Sequence, residues 1–316
     1  MSDPWLTVVG LGEDGLDGLG SASRAALDEA EVIFGGSRHI ALVGAGTRGR
    51  EWPVPFDLAP VLAMRGRRIV VLASGDPFWF GAGSLIAERL APGEWCALPV
   101  AGVVSLACAR MGWRVEEVRA VALHAAPFAR LRRVLSRGAR VIATLRDGDA
   151  AAELARWLRE KGFGAVSMTV LERLGGPAER IRTQYAEAFD PSDISAPVAV
   201  ALDGAELPAG AGLSAVPGRA EAEFAHDGQI TKAPIRAMTL AALSPRAGEL
   251  LWDIGGGSGS VSVEWCLAEG RAIAVEPRAD RVANIVTNIE AFGLTGRMRA
   301  EQGSAPEALV GLESPA

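Results

Sequence analysis

Short β-rich runs alternate with Ala-, Leu- and Arg-rich helical stretches from one end of the chain to the other, and this alternation confines it to parallel α/β layers. The clearest run, Arg68 to Leu72 (RIVVL), is an uninterrupted apolar strand that gives way to Ser74-Gly75-Asp76-Pro77. Further strands are expected at Leu6 to Val9, Arg140 to Leu145, Ala165 to Leu171 and Ala196 to Leu202. Helical spacing marks Ser21 to Glu31, with Ser21 or Ser23 as cap, and Ala150 to Lys161, where Leu154, Trp157 and Leu158 share a face and Gly162 stops the helix. From Asp203 to Arg219 the sequence DGAELPAGAGLSAVPGR has no periodicity and reads as a linker. A second α/β series follows. It runs helix Pro234 to Leu243, strand Glu249 to Ile254, helix Val261 to Ala268, strand Ala272 to Val275, helix Arg278 to Phe292, strand Arg297 to Gln302 and a last short helix. The expected division is 1–203, a linker 204–222, and 223–316.

A length of 316 residues agrees with two domains at roughly 150 residues each. With 49% hydrophobic and 22% charged residues the chain can bury a substantial core, which excludes disordered and fibrous classes. A net charge of -6 argues against nucleic acid as the main partner, since that affinity comes from neutralising phosphates. Lys161 and Lys232 are the only lysines, so any anion patch is built from arginine, which suits bidentate carboxylate contacts. Cys96, Cys108 and Cys266 have neither metal-ligand nor disulfide spacing and read as free thiols in a reducing compartment. The opening Met1-Ser2-Asp3-Pro4-Trp5 lacks a basic or apolar leader segment, and no run approaches the ~20 apolar residues of a membrane span. The expectation is a soluble, cytoplasmic protein without a metal, a membrane or a nucleic-acid partner.

Three glycine-rich turns follow strands. The first, Gly10-Leu11-Gly12-Glu13-Asp14-Gly15, satisfies a dinucleotide-binding pattern, with acids following at Asp28 and Glu31. Glu13 and Asp14 would, however, repel a pyrophosphate, so an uncharged or cationic ligand fits better, and a plain turn is the alternative. The second, Ser74 to Gly81, puts Gly-Asp-Pro and two aromatics, Trp79 and Phe80, at the carboxyl end of a strand, where open α/β sheets bind ligands. The third, Leu251-Trp252-Asp253-Ile254-Gly255-Gly256-Gly257-Ser258-Gly259-Ser260, is a strand, an acid, a glycine turn and a helix start, with Glu276 ending the next strand. A strand-end carboxylate can accept both ribose hydroxyls, and Asp253 favours a ligand carrying an amino group or a sulfonium. That points away from NAD and toward S-adenosylmethionine.

The third turn resembles motif I of class I S-adenosylmethionine-dependent methyltransferases, and Glu276 matches their ribose-binding acid. Asp227-Gly228-Gln229-Ile230-Thr231-Lys232 with Ile235-Arg236 is similar to the entry segment of cobalamin-pathway C15 methyltransferases that also decarboxylate. The first half resembles the class III tetrapyrrole methylases, in its C5-methylating branch. The matching positions there are Gly10 to Gly15, Gly75-Asp76-Pro77, Ala101-Gly102-Val103-Val104-Ser105, His124, and Leu171 to Gly175 with Glu179-Arg180. The resemblance implies a two-lobed methylase domain followed by a Rossmann-like methyltransferase domain. Since a class I domain has seven strands and about one strand and helix follow Glu276, the sequence is expected to stop within that second domain.

The resemblance further implies two molecules of S-adenosylmethionine. Gly12, Gly75, Asp76, Pro77, Gly102 and Ser105 would hold one; Thr231, Asp253, Gly255, Gly256, Gly257, Ser258, Gly259, Glu276, Ser304 and Ala305 would hold the other. The implied reaction methylates precorrin-6B at C5 and C15 and removes the C12 acetate carboxyl, giving precorrin-8. The implied partner is a tetrapyrrole, and class III relatives imply a homo-oligomer. Asp76, Arg236 and Glu264 are the candidate catalytic residues, Glu264 having packing or capping as its alternative. Arg130, Arg132, Arg133 and Arg137, on one expected helix, either meet substrate carboxylates or form a solvated face. His124 is an acid or base or a hydrogen-bonded structural group; His39 and His226 suggest no role. The rival functions are an NAD(P)-dependent oxidoreductase using Gly10 to Gly15, and a noncatalytic S-adenosylmethionine-binding protein.

Overall fold

The computed structural model describes residues 4–316, so Met1-Ser2-Asp3 of the opening segment lie outside the described residues. The chain forms two compact units: Met1–His124, Ile142–Glu153 and Met168–Leu202 make the first; Ala125–Val141, Leu154–Ser167 and Asp203–Ala316 make the second.

In the first unit β1 (Leu6–Leu11), β2 (Val32–Gly35), β3 (Gly49–Glu51), β4 (Ile69–Ser74) and β5 (Trp95–Leu98) form a sheet in the order β3-β2-β4-β1-β5. All four pairings are parallel. The sequence shows why the central strands are apolar without alternation. Leu6, Val8, Ile69 and Val71 enter the core on one face; Val9, Leu11, Val70 and Leu72 enter a second core on the other. A strand covered on both faces needs apolar residues at every position. The register pairs Leu11 with Ser74, so the glycine turns after β1 and β4 emerge side by side. A further sheet has the order β6-β7-β10-β8-β9, from β6 (Val118–Ala122), β7 (Arg140–Thr144), β8 (Ser167–Glu172), β9 (Arg180–Tyr185) and β10 (Val198–Asp203).

In the second unit β11 (Leu250–Ile254), β12 (Arg271–Glu276) and β13 (Met298–Gln302) pair in parallel in that order. Helices Ala233–Leu243, Ser260–Leu267 and Ala279–Ala291 supply Leu240, Val263, Cys266, Ile285 and Ile289 to a core shared with Phe224, Phe292 and Met298. Residues from Gly204 to Gly218 hold no helix or strand, yet the end of this stretch is seated on the unit, as shown below. Among the described residues no helix is long and apolar enough to cross a membrane.

The expected strands and α-helices start and stop within two residues of their positions, with three departures. The segment bearing Arg130, Arg132 and Arg133 is a 3-10 helix, Phe128–Arg133, that follows Pro127 and ends before Arg137. Two of its arginines are engaged: Arg132 donates to the Ala291 carbonyl (2.8 Å) with its guanidinium 4.8 Å above the Phe292 ring, and Arg133 bonds Glu269 (2.7 Å). The helix at Ser21 is preceded by Gly20 as N-cap, without a side-chain cap. The last short helix is a 3-10 turn, Glu307–Leu309.

Candidate active site

The first site is a cavity of about 480 Å³ in the first unit, at the carboxyl ends of β1 and β4. Its floor is backbone. A side chain at Gly10 would run into the Gly75 carbonyl, and a Cβ on Gly75 would sit 2.7 Å from the Gly102 Cα. Gly75 also has φ +58°, a conformation that strains any L residue. Gly75 N donates to Leu11 O (3.0 Å) and Val100 N to Gly75 O (3.3 Å), which ties the three segments together. Asp76 lines the cavity, its carboxylate accepting from Phe78 N (2.9 Å) to close the turn. Pro77 lies buried, and its carbonyl would be 2.5 Å from a Cβ on Gly81, so that glycine lets the chain fold over it. Ser105 is exposed on the helix Val103–Met111, away from the lining, whereas Gly12 and Gly102 line the cavity.

The opposite wall carries Trp79, Phe80 and His124. Phe80 holds φ +54° and stacks edge-on against Trp79 (5.1 Å) and His124 (6.3 Å). Strain of this kind in a bulky residue concentrates at functional sites. His124 Nδ1 lies 3.3 Å from Thr144 Oγ1.

The sequence marks Glu13 on the charged rim of this cavity but not its partner. Glu13 of the first glycine turn pairs with Arg38. Arg38 Nη2 donates to His39 Nε2 (2.8 Å) and to Ser74 Oγ (3.0 Å), and the hydroxyl lies 2.9 Å from the same ring nitrogen. A guanidinium only donates, so Nε2 accepts and the imidazole is neutral. Burial first, and then the Arg38 charge, lower its pKa to about 4. No motif marks Arg38 or His39 in the sequence; their short helix, Ser37–Leu42, simply abuts the strand ends.

The segment Leu171 to Gly175 with Glu179 and Arg180 braces the unit. Glu179 accepts from Arg110 Nε (2.5 Å) and Gly175 N (2.7 Å). Buried Glu172 accepts from Arg180, Arg182 and Ser195 N.

The second site is the glycine turn of the second unit. Glu276 is buried at the end of β12 and accepts from Gly257 N (2.9 Å) and Arg278 N (3.1 Å). Gly255 N and Gly256 N both reach the Val275 carbonyl (2.8 and 3.1 Å). Gly259, at φ +70°, packs against Met298 and Ile285 with no room for a Cβ. Asp253 accepts from the Ser262 hydroxyl (2.7 Å), and burial, aided by the Glu276 charge, lifts its carboxyl above the usual range. Gly303 N donates to Glu276 O (3.1 Å), so Ser304 and Ala305 stand exposed beside the same strand end. The Ser258 hydroxyl is buried without a hydrogen-bond partner among the described residues. Asn288, unmarked by the sequence, staples the turn by donating to Ser258 O (2.9 Å) and Ala225 O (3.0 Å) while accepting from Ala225 N (2.8 Å). Thr231 is exposed, and its carbonyl accepts from Arg236.

Arg236 and Glu264, the other catalytic candidates, pack against each other inside the second unit, the packing alternative given for Glu264. Both are buried and bonded to each other (Nε to Oε1, 2.8 Å), and Glu264 also accepts from Gly218 N (2.8 Å) and Arg219 N (2.9 Å). Arg236 further donates to Arg219 O and lies 4.7 Å over the Phe224 ring. The pair fastens the Gly/Pro-rich stretch to the unit.

Two families match the chain in series: "Tetrapyrrole (Corrin/Porphyrin) Methylases" over residues 6–189 and "Precorrin methyltransferase domain" over 222–316. The solved methyltransferase CobJ shares the fold of the first part, with a TM-score of 0.51 and 22% identity over 64% of this chain and 94% of that one. Among curated proteins, a precorrin-6Y C(5,15)-methyltransferase [decarboxylating] of Sinorhizobium sp is 44% identical over 99% of this chain and 77% of its own length. Its counterpart from Mycobacterium tuberculosis (strain CDC 1551 / Oshkosh) is 40% identical over 96% and 77%. The chain belongs to the family of decarboxylating precorrin-6Y C5,15-methyltransferases. It is a methyltransferase of cobalamin biosynthesis, and the oxidoreductase reading of Gly10 to Gly15 is set aside.

Proposed function

We propose that this chain methylates precorrin-6B, the precorrin-6Y of its relatives' names, at C5 and C15 and decarboxylates the C12 acetate, with S-adenosylmethionine as donor at both sites. The observation that carries this reading is the presence, in one chain, of two separate strand-end glycine cradles. Both fit the donor. At the first, Gly75 and Gly102 line the cavity with main chain, and Gly10 packs against the Gly75 carbonyl with no room for a Cβ. At the second, Glu276 keeps a lone pair on each oxygen beyond its backbone bonds, enough for two ribose hydroxyls. Asp253 is desolvated there, so a cationic ligand relieves it and an anionic one adds to its cost.

When bound, the donor supplies an electrophilic methyl on sulfur. The protein's task is to hold the substrate's meso carbon in line at about 3 Å, which is worth several powers of ten in rate. At the first site Gly12, Gly75, Asp76 and Gly102 would hold the donor, with Trp79 and Phe80 on the cavity wall. At the second Gly255 to Gly259, Glu276, Ser304 and Ala305 hold it. The methylase domain ends near 203 and the methyltransferase domain begins near 223; the enzyme is cytoplasmic and a homo-oligomer. The test is incubation with precorrin-6B and methyl-labelled donor, followed by mass spectrometry. Two labelled methyls gained and one carbon dioxide lost support the reading, and a product with one methyl or none refutes the two-site assignment.

A further inference from the structure

We propose that Arg38 binds a ligand carboxylate in the first site, and that Glu13 occupies its place while no such carboxylate is present. This rests on the methyltransferase reading above.

Arg38 and Arg146 both line the cavity. Arg146 is served by exposed acids of its own loop and helix, Asp147 (2.7 Å) and Glu153 (3.5 Å). Arg38 instead turns to an acid on the facing glycine turn, and Glu13 and Ser74 themselves line the cavity. Other carboxylates of this unit also brace backbone: half-buried Glu179 accepts from Gly175 N and buried Glu172 from Ser195 N. Among the described residues no backbone amide shares the Glu13 carboxylate, so releasing it leaves no backbone donor orphaned. The guanidinium stays aimed when Glu13 leaves. Nη2 is fixed by His39 Nε2 (2.8 Å) and Ser74 Oγ (3.0 Å), and Nη1 then faces an incoming carboxylate. Neutral His39 adds no positive charge of its own and serves as an acceptor that orients the arginine. With both Nη2 protons engaged, Nη1 is left to make one charge-assisted bond to an incoming carboxylate.

Two carboxylates can reach this site: a side-chain carboxylate of the tetrapyrrole, and the amino-acid carboxylate of the methyl donor. Calorimetry on the full chain with S-adenosylhomocysteine and with 5′-methylthioadenosine, which lacks that carboxylate, separates them, together with C5-methylation kinetics. Arg38→Gln should weaken the carboxylate ligand about tenfold to a hundredfold, the range for a lost charge-assisted bond. If the donor supplies it, one binding component for S-adenosylhomocysteine weakens while methylthioadenosine is unaffected. If the tetrapyrrole supplies it, both nucleosides bind as before and the tetrapyrrole KM rises. Arg38→Lys should restore part of the loss. Glu13→Gln should tighten the same ligand several-fold, because it removes the internal competitor.

The proposal is overturned if Arg38→Gln changes neither S-adenosylhomocysteine binding nor the tetrapyrrole KM. It is also overturned if all three ligands weaken together, or if Glu13→Gln weakens the carboxylate ligand. A wild-type chain that binds neither nucleoside and turns over no tetrapyrrole would refute the functional reading itself, and this inference with it.

Discussion

Replacing Glu264 by alanine leaves the Arg236 guanidinium, whose side chain has no solvent exposure, with the Thr231 and Arg219 carbonyls but no counter-charge. Breaking one side of a buried ion pair costs about 3–5 kcal/mol, because the remaining charge cannot be hydrated. The amides of Gly218 and Arg219 lose their acceptor in the same step. Each orphaned buried donor costs about 1–3 kcal/mol, though these losses overlap with the first and do not simply add. The stretch ending at Arg219 should therefore open more readily by about 3–5 kcal/mol, or roughly two to four powers of ten. Hydrogen exchange followed by peptide mass spectrometry reads this locally, which a melt of a two-unit chain does not. Amides 216–222 should exchange faster by that factor, while those of β1 and β4 keep their protection. Converting the pair together, Arg236→Met with Glu264→Leu, should cost less than Glu264→Ala alone, since no isolated charge remains. If Glu264→Ala leaves that segment protected to within about tenfold and instead abolishes ligand binding at the second turn, the pair is a ligand-facing group and the structural assignment is wrong.

Gly75→Ala should abolish ligand binding at the first cavity while leaving the second intact, because a Cβ there meets Gly102 at 2.7 Å and φ is +58°; two-site calorimetry would show one component lost. Arg132→Ala should destabilise the second unit by about 1–2 kcal/mol through loss of its carbonyl bond and its stacking on Phe292, without raising the tetrapyrrole KM; denaturant titration with parallel kinetics checks both. His39 takes up its proton only near pH 4 in the folded chain but near 6.5 when unfolded, so it costs nothing above 6.5 and destabilises progressively as pH falls from 6.5 to about 4. His39→Gln should flatten the stability profile in that window; an unchanged slope would refute burial of the neutral ring.

The strands that organise the fold are legible because burial on both faces leaves a compositional trace, as RIVVL does. β2, β3, β5, β6 and β9 lie outside the expected strands: the first four are runs of only three to five residues, and β9, RIRTQY, mixes long polar side chains with its apolar ones and is nowhere fully buried. The glycine turns declare themselves through spacing and strand-end position. What they leave hidden is the direction a polar side chain takes. Glu264 sits one turn beyond a glycine cradle, where the sequence leaves a site role and a packing role equally open. The helix Ser260–Leu267 is buried along nearly its whole length, so its carboxylate has to find partners inside. Those partners, Arg219 and Gly218, come from a stretch whose composition suggests a free linker. Arg38, His39 and Asn288 lack any local pattern; only the register of parallel strands brings them to a turn.

The crossing of Gly10, Gly75 and Gly102 restricts how this site can diversify. At Gly10 and Gly75, where main chains touch without intervening side chains, point substitution has no permitted direction: every change adds bulk to a place that has none to spare. The floor is a fixed part that descendants inherit intact, and variation in what the cavity accepts has to be written on the wall of Trp79, Phe80 and His124 or on the rim at Glu13 and Arg38. Saturation libraries directed at the floor should return mostly inactive chains, and those directed at the wall should return altered selectivity.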